Sequence, residues 1–261
     1  MAIGQPYDDL LGSGNDEPID EDITLLDPAL IMYTSGTTGL PKGVTLTHGS
    51  VTWNAINCLV DADFRADEVS LAVAPLFHTA ALNMLSLPTI LRGGTLVVEA
   101  PFDPGRALDL IRRHRVTCLF GVPAMFDAIA GDERWAAADL SSLRTLLCGG
   151  APVPPTTIRT WLGRGLTFIQ GYGLTEAGPG SLLLDANHVV SKAGSAGTPH
   201  FFTDVMVARQ DLTPSAPGET GEIVVSGPNV MRGYWEQPER TSTRPRWRMR
   251  SATTRTCSSA G

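Results

Sequence analysis

No run of the sequence reaches 18 consecutive apolar residues, which excludes a helix long and apolar enough to span a bilayer. Cysteine is sparse: Cys58, Cys118, Cys148 and Cys257 stand far apart, without the paired spacing of a zinc site or a disulfide framework, so reduced thiols are expected. The opening residues, Met1 to Asp9, lack the basic patch and apolar stretch of a secretory signal, and the expected location is the cytoplasm. Charged residues make up only 18% against 43% hydrophobic, too few charges and too much apolar matter for a disordered or solvating tract. A chain of 261 residues with this composition can bury a core in one large domain or two ordinary ones.

Acidic residues are missing after Glu239, whereas residues 240–261 hold six arginines (Arg240, Arg244, Arg246, Arg248, Arg250 and Arg255). The net charge of −7 therefore hides a basic tail on an acidic body. A basic stretch with no recognition motif reads as a disordered extension rather than a nucleic-acid interface. Residues 1–26 are polar and rich in Asp, Gly and Pro, and read as a mobile leader, with order beginning near Asp27.

Short apolar runs alternate with helical patterns from there on. Ala29–Tyr33, Val44–Thr47, Val69–Ala74, Thr95–Val98, Val116–Val122, Leu143–Cys148 and Leu166–Ile169 read as strands, most of them buried on both faces. Val51–Leu59, behind a potential cap at Ser50, and Arg106–His114, entered through Asp103 and Pro104, read as helices packing on the sheet. This alternation predicts a layered αβα domain with a mainly parallel sheet over residues 27–198, with ligands beyond the carboxyl ends of its strands. Glycine and proline then punctuate Phe202–Ala208 and Glu222–Ser226, which predicts the start of a β-rich subdomain over 199–238, ahead of the tail at 239–261.

The most informative stretch is Tyr33-Thr34-Ser35-Gly36-Thr37-Thr38-Gly39-Leu40-Pro41-Lys42-Gly43. Gly36 and Gly39 permit backbone conformations that turn amides inward. The hydroxyls of Thr34, Ser35, Thr37 and Thr38 and the ammonium of Lys42 offer donors to phosphate oxygens with no negative charge to repel them. Lys42 is one of only two lysines in the chain. A Walker A loop is excluded on three counts: Pro41 precedes the lysine, Gly43 follows it, and a strand comes next. The plainer alternative is a glycine-rich hairpin whose hydroxyls satisfy their own turn.

That string closely resembles the AMP-binding signature of the adenylate-forming superfamily, which includes acyl-CoA synthetases, firefly luciferase and the adenylation domains of peptide synthetases. Further segments agree in order. Pro75-Leu76-Phe77-His78 resembles the family segment at the acyl pocket, and Cys148-Gly149-Gly150-Ala151-Pro152 its adenine-side loop. Gln170-Gly171-Tyr172-Gly173-Leu174-Thr175-Glu176 resembles its second nucleotide motif. Gly218-Glu219-Thr220-Gly221-Glu222, Gly227-Pro228 and Met231-Arg232-Gly233-Tyr234-Trp235 resemble the opening of its β-barrel subdomain. The likeness covers about residues 27–238 and is greatest to fatty-acid and other acyl-CoA synthetases.

The resemblance implies ATP-dependent activation of a carboxylic acid to an acyl-adenylate, with pyrophosphate release, followed by transfer to CoA. It assigns Thr34, Ser35, Gly36, Thr37, Thr38, Gly39 and Lys42 to the β- and γ-phosphates. Gly149, Gly150, Ala151 and Pro152, with Gly171, Tyr172 and Gly173, fall to the nucleotide, the Tyr172 ring lying against adenine. Thr175 would donate to the α-phosphate and Glu176 would hold Mg²⁺, a hard oxygen ligand for a hard cation. His78 would border the carboxylate and gate the path to the thiol, although a lone histidine beside an apolar run is more often a core residue. Lys42, His78, Thr175 and Glu176 are thus the candidate catalytic groups. Amino-acid-activating relatives carry Asp after the corresponding Phe, and His78 here disfavours an amino acid. Ala80, Ala81, Leu82 and Met84 point to a fatty or aryl acid.

The family's Thr-Gly-Asp motif and its later Arg and Lys have no counterpart after Trp235, and the family's additional layer before the phosphate loop is not seen. A frameshifted or otherwise aberrant terminus and impaired turnover are expected, with an exposed apolar patch that favours an oligomer or a partner chain. The alternatives are a nucleotide-binding or interaction fragment without turnover, an inert truncated product, or an amino-acid adenylation domain.

Overall fold

The computed structural model describes residues 6–34, 41–241 and 247–249. Helix α1 (Tyr7–Ser13) precedes a hairpin of β1 (Pro28–Thr34) and β2 (Lys42–Thr47), which runs directly into α2 (His48–Asp61). Then come β3 (Val69–Ala72), a π-helical segment (Ala81–Ser86) continuous with α3 (Leu87–Arg92), β4 (Thr95–Val98), α4 (Pro104–His114), β5 (Cys118–Gly121), α5 (Pro123–Ala130), β6 (Thr145–Cys148), α6 (Pro155–Leu162) and β7 (Thr167–Leu174). A 3-10 turn (Thr175–Ala177) leads into β8 (Gly178–Leu184) and β9 (Thr198–Pro199). The remaining strands are β10 (Asp204–Ala208), β11 (Glu222–Ser226), β12 (Gly233–Tyr234) and β13 (Trp247–Met249).

The central sheet has seven strands in the order β4-β3-β5-β6-β7-β8-β9. The first five are parallel, β8 pairs antiparallel with β7, and β9 pairs antiparallel with β8, so the fold is α/β with a mainly parallel sheet. Successive strand residues feed opposite layers, as the two-residue strand period requires. Leu119, Leu146 and Phe168 pack with Leu108 and Ile111 of α4, Phe126 of α5 and Trp161 of α6. Their neighbours Phe120, Leu147 and Ile169 face Cys58 of α2 and Met84 and Leu85 of the π-helical segment. Cys58, Cys118 and Cys148 are free and buried, and burial pushes the Cys58 thiol up to about 12.

Helix α4 begins as its sequence predicts: Asp103 accepts from the Arg106 amide at 2.6 Å and Pro104 occupies the first turn. Helix α2 corrects the expected cap. Thr47, not Ser50, is the N-cap: its hydroxyl accepts from the Ser50 amide at 3.0 Å while Ser50 Oγ accepts from the Thr47 amide at 2.9 Å.

Three other expectations change. The first two strands are not part of the parallel sheet, because β1, β2 and β12 form an antiparallel sheet of their own. The leader contains helix α1, wholly exposed, and within the arginine tail Trp247–Met249 pairs with Ile223–Val225 of β11 instead of forming a continuous disordered extension. Among the described residues no helix is long and apolar enough to cross a membrane.

Candidate active site

The parallel strands bring their carboxyl ends to one edge of the sheet. His78 follows β3, Gly149–Pro152 follow β6, and Thr175 and Glu176 follow β7. Thr34 pairs with Lys42 at the base of the hairpin, so the glycine-rich loop closes a β-hairpin rather than opening a helix. Ser35, Gly36, Thr37, Thr38 and Gly39 lie outside the described residues.

Lys42 and Glu176 meet through Tyr234, a residue with no role assigned from the motifs. Strand β12 pairs with β2, setting Tyr234 opposite Val44. The Lys42 ammonium stands 5.1 Å from the centroid of the Tyr234 ring, within cation–π reach. The Tyr234 hydroxyl donates to Oε1 of Glu176 at 2.9 Å, and the Met231 amide donates to the Glu176 carbonyl at 2.9 Å. Tyr234 is 8% exposed, so its phenol needs a partner, and the carboxylate is one. Its burial is legible in the apolar context of Gly233-Tyr234-Trp235, but the partner is not, because the pairing with β2 is long-range.

The adenine-side loop and second motif touch directly. A Cβ at Gly149 would lie 2.9 Å from the carbonyl oxygen of Gly171, so the absence of a side chain lets the residue that follows β6 close on the middle of β7. Gly150 has φ +82°, the left-handed region, and Gly150, Ala151 and Pro152 are exposed. A Cβ on Gly171 would meet Met84 Cε at 2.4 Å, which places the π-helical segment against the middle of this motif. Tyr172 is half-buried, as are Gly173 and Thr175, and burial raises the Tyr172 phenol pKa.

His78 is exposed, with its ring 4.6 Å from that of Phe77. The core-histidine alternative therefore does not hold. An open hollow of about 450 Å³ beside β12 is lined by Thr45, Arg232, Tyr234, Trp235 and Thr241, among others, and shares Tyr234 with the Lys42–Glu176 cluster.

Among the described residues no group of three His, Cys, Asp or Glu side chains could cage a metal alone. The half-buried carboxylate of Glu176, oriented by Tyr234, instead suits Mg²⁺, which is commonly held by one or two carboxylates together with substrate phosphates.

A family profile described as AMP-binding enzyme matches residues 4–235. A feruloyl-CoA synthase from Amycolatopsis sp. is 58% identical over 232 residues, which is 89% of this chain and 47% of that protein. An indoleacetate–CoA ligase from Aromatoleum aromaticum is 40% identical over 85% of this chain and 44% of its own. Among solved structures, the inhibitor-bound N-terminal domain of FACL13 from Mycobacterium tuberculosis superposes with TM-score 0.85 at 36% identity, covering 92% of this chain and 61% of that one. The o-succinylbenzoate CoA synthetase MenE from Bacillus subtilis, in complex with ATP and magnesium ion, gives TM-score 0.83 at 30% identity over 92% of this chain and 50% of its own. The chain spans about half the length of the curated relatives it matches.

Proposed function

The chain belongs to the AMP-binding enzyme family, and from that premise we propose that it serves ATP-dependent activation of an aryl carboxylic acid to an acyl-adenylate, followed by transfer to the thiol of CoA. In the first step a carboxylate oxygen attacks the α-phosphorus and pyrophosphate leaves. In the second the thiol sulfur attacks the acyl carbon and AMP leaves. The observation that carries the reading is the meeting of Lys42 and Glu176 at Tyr234, which joins the base of the hydroxyl-rich loop to the second motif.

The chain's work in such a reaction is placement and neutralisation of charge. Lys42, beside Thr34 at the hairpin base, supplies a point charge to the triphosphate, with Ser35 to Gly39 completing the cradle. Thr175 donates to the α-phosphate. Tyr172 offers its ring to adenine, and Gly149–Pro152 with Gly171 and Gly173 let the backbone approach the nucleotide. Glu176 is the ligand for Mg²⁺, which supplies charge compensation on the phosphate oxygens. Exposed His78 borders the carboxylate and the path of CoA. The likeness to a feruloyl-CoA synthase and an indoleacetate–CoA ligase favours an aryl over a fatty acid, and His78 in place of Asp disfavours an amino acid.

The test is carboxylate-dependent exchange of labelled pyrophosphate into ATP across aryl, fatty and amino acids, run beside Lys42→Ala and Glu176→Ala. Aryl acids should support exchange, and each substitution should lower it about 10²-fold or more. Exchange indifferent to both changes would overturn the site. ATP binding with no exchange for any acid would select a nucleotide-binding module instead.

A further inference from the structure

Behind the Thr175–Ala177 turn lies a set of buried amide side chains that the reaction outlined above does not use. Asn229, 1% exposed, follows β11. Its Nδ2 donates to the Ala177 carbonyl at 2.6 Å, an oxygen shared with Ser181 Oγ at 3.2 Å. Its Oδ1 accepts from Thr203 Oγ1 at 3.0 Å. Thr203 in turn accepts from Asn57 Nδ2 at 3.0 Å, and Asn57 Oδ1 accepts from the Phe202 amide at 2.9 Å. The threonine hydroxyl has a single proton and gives it to Asn229, so the direction of each bond follows.

Asn54 of α2, 2% exposed, reaches the same place from another side. Its Nδ2 donates to the Asn83 carbonyl in the π-helical segment at 2.7 Å, and its Oδ1 accepts from the Gly180 amide at 3.3 Å. Between Ala177 and Gly180 the chain passes through Gly178 at φ +74°. A Cβ there would lie 2.6 Å from Asn54 Oδ1 and 3.3 Å from Asn229 Nδ2, so both amides press on this one residue. Each amide is held at both ends, and satisfied buried networks of this kind rigidify what they bind. What they bind here is the backbone immediately after Glu176.

We propose that Asn229 and Asn54 are positioning residues of the adenylation site: through the backbone of Ala177 and Gly180 they fix the turn that aims Thr175 and Glu176 at the metal-bound triphosphate. The assignment rests on the function proposed above. Asn229, bound to the Ala177 carbonyl, acts beside the Met231 amide, which is bound to the Glu176 carbonyl, and Asn54 extends the support to the π-helical segment that packs on Gly171.

The experiment compares the full chain with Asn229→Leu, Asn229→Ala, Asn54→Ala, Glu176→Gln and Thr157→Val. Thr157 serves as a control because its buried hydroxyl donates to Asp127 Oδ1 at 2.7 Å between α6 and α5, away from the turn. Binding of ATP with Mn²⁺ is followed through the loss of the free-Mn²⁺ paramagnetic signal, at a temperature well below each variant's unfolding midpoint. Asn229 and Asn54 variants should need about tenfold more Mn²⁺ for half-saturation, with metal-free ATP binding altered less than about twofold, whereas Thr157→Val should lose thermal stability alone. If both Asn229 variants and Asn54→Ala match Thr157→Val, with Mn²⁺ dependence unmoved while Glu176→Gln shifts it, positioning is refuted and the adenylation site stands. If Glu176→Gln also leaves Mn²⁺ dependence unchanged, the adenylation reading fails and this assignment with it.

Discussion

The phenol oxygen of Tyr234 lies 2.9 Å from Oε1 of Glu176, and its ring lies 5.1 Å from the Lys42 ammonium. One side chain on a two-residue strand thus ties together the two motifs on which the proposed chemistry depends. Removing only the hydroxyl separates these contacts. Tyr234→Phe keeps the ring beside Lys42 and loses the donor to the carboxylate. Since a hydrogen bond to a charged group contributes about 1.5–3 kcal/mol, pyrophosphate exchange should fall roughly 10-fold or more with a raised Mg²⁺ requirement. Tyr234→Leu removes the cation–π contact as well and should fall further. Exchange by Tyr234→Phe equal to that of the unaltered chain would show that the bond does not matter to the reaction.

Gly149, just past β6, and Gly171, within β7, should respond differently to alanine. At Gly149 the new methyl meets the Gly171 carbonyl oxygen at 2.9 Å, and that oxygen is held in the backbone of β7. At Gly171 it meets only the tip of Met84, at 2.4 Å, which can swing aside. Gly149→Ala should therefore be destabilised by about 1–3 kcal/mol and lose ATP affinity. Gly171→Ala should fold nearly as well as the unaltered chain but shift the preference among acids as Met84 moves. Chemical denaturation and an acid panel check the two. Equal stability losses would contradict the geometry.

The buried thiols set an alkaline limit to stability. Burial raises the pKa of Cys58 from 9.0 to about 12, with desolvation first and the nearby Asp61 charge second, and Cys118 and Cys148 are also raised, chiefly by desolvation. Above pH 9 the unfolded chain releases thiol protons that the folded chain keeps. Stability is therefore fully present below pH 9 and falls as pH rises from there toward 12, by at most about 1.4 kcal/mol per pH unit for each thiol. Urea midpoints at pH 8 and pH 10 measure the loss. Cys58→Ala should flatten the dependence, and an unchanged slope would contradict its burial.

Local signals were readable wherever neighbours in the chain also meet in space. Asp103 and Pro104 start α4, and Thr34 and Lys42 close the hairpin around the glycine-rich loop. Strands β3, β5 and β6 are recognisable as apolar runs because both of their faces are covered. The cap of α2 lies three residues before Ser50 because Thr47 and Ser50 have the same chemistry and form a reciprocal pair, so either reads as the start. Strand β8 was hidden because Gly178-Pro179-Gly180 reads as a turn, yet every residue of the strand is buried. The grip of Tyr234 and Asn229 on the Glu176 turn was not legible either, since each joins segments far apart in sequence through tertiary pairing alone.

Arg144 offers a contrast to the candidate site, because it joins the amino ends of β3 and β6. Its guanidinium takes both carboxylate oxygens of Asp67, at 3.0 and 3.1 Å, and approaches Glu68 Oε1 at 3.3 Å. Asp67 is exposed, and its side-chain bonds to Arg144 lower its pKa. Glu68 is different: its side chain is 5% exposed and also accepts from the Thr117 hydroxyl. Arg144→Ala would strand that buried carboxylate without its cation. Loss of one partner from a fully buried pair costs about 3–5 kcal/mol, and because the Arg144 side chain is 30% exposed, water screens part of that, leaving about 2 kcal/mol. Arg144→Lys should recover part of the loss, since a single ammonium cannot take both Asp67 oxygens. ATP affinity, measured on the folded fraction, should not change in either variant. A loss of nucleotide binding without a loss of stability would place Arg144 in the site and contradict its position at the opposite edge of the sheet.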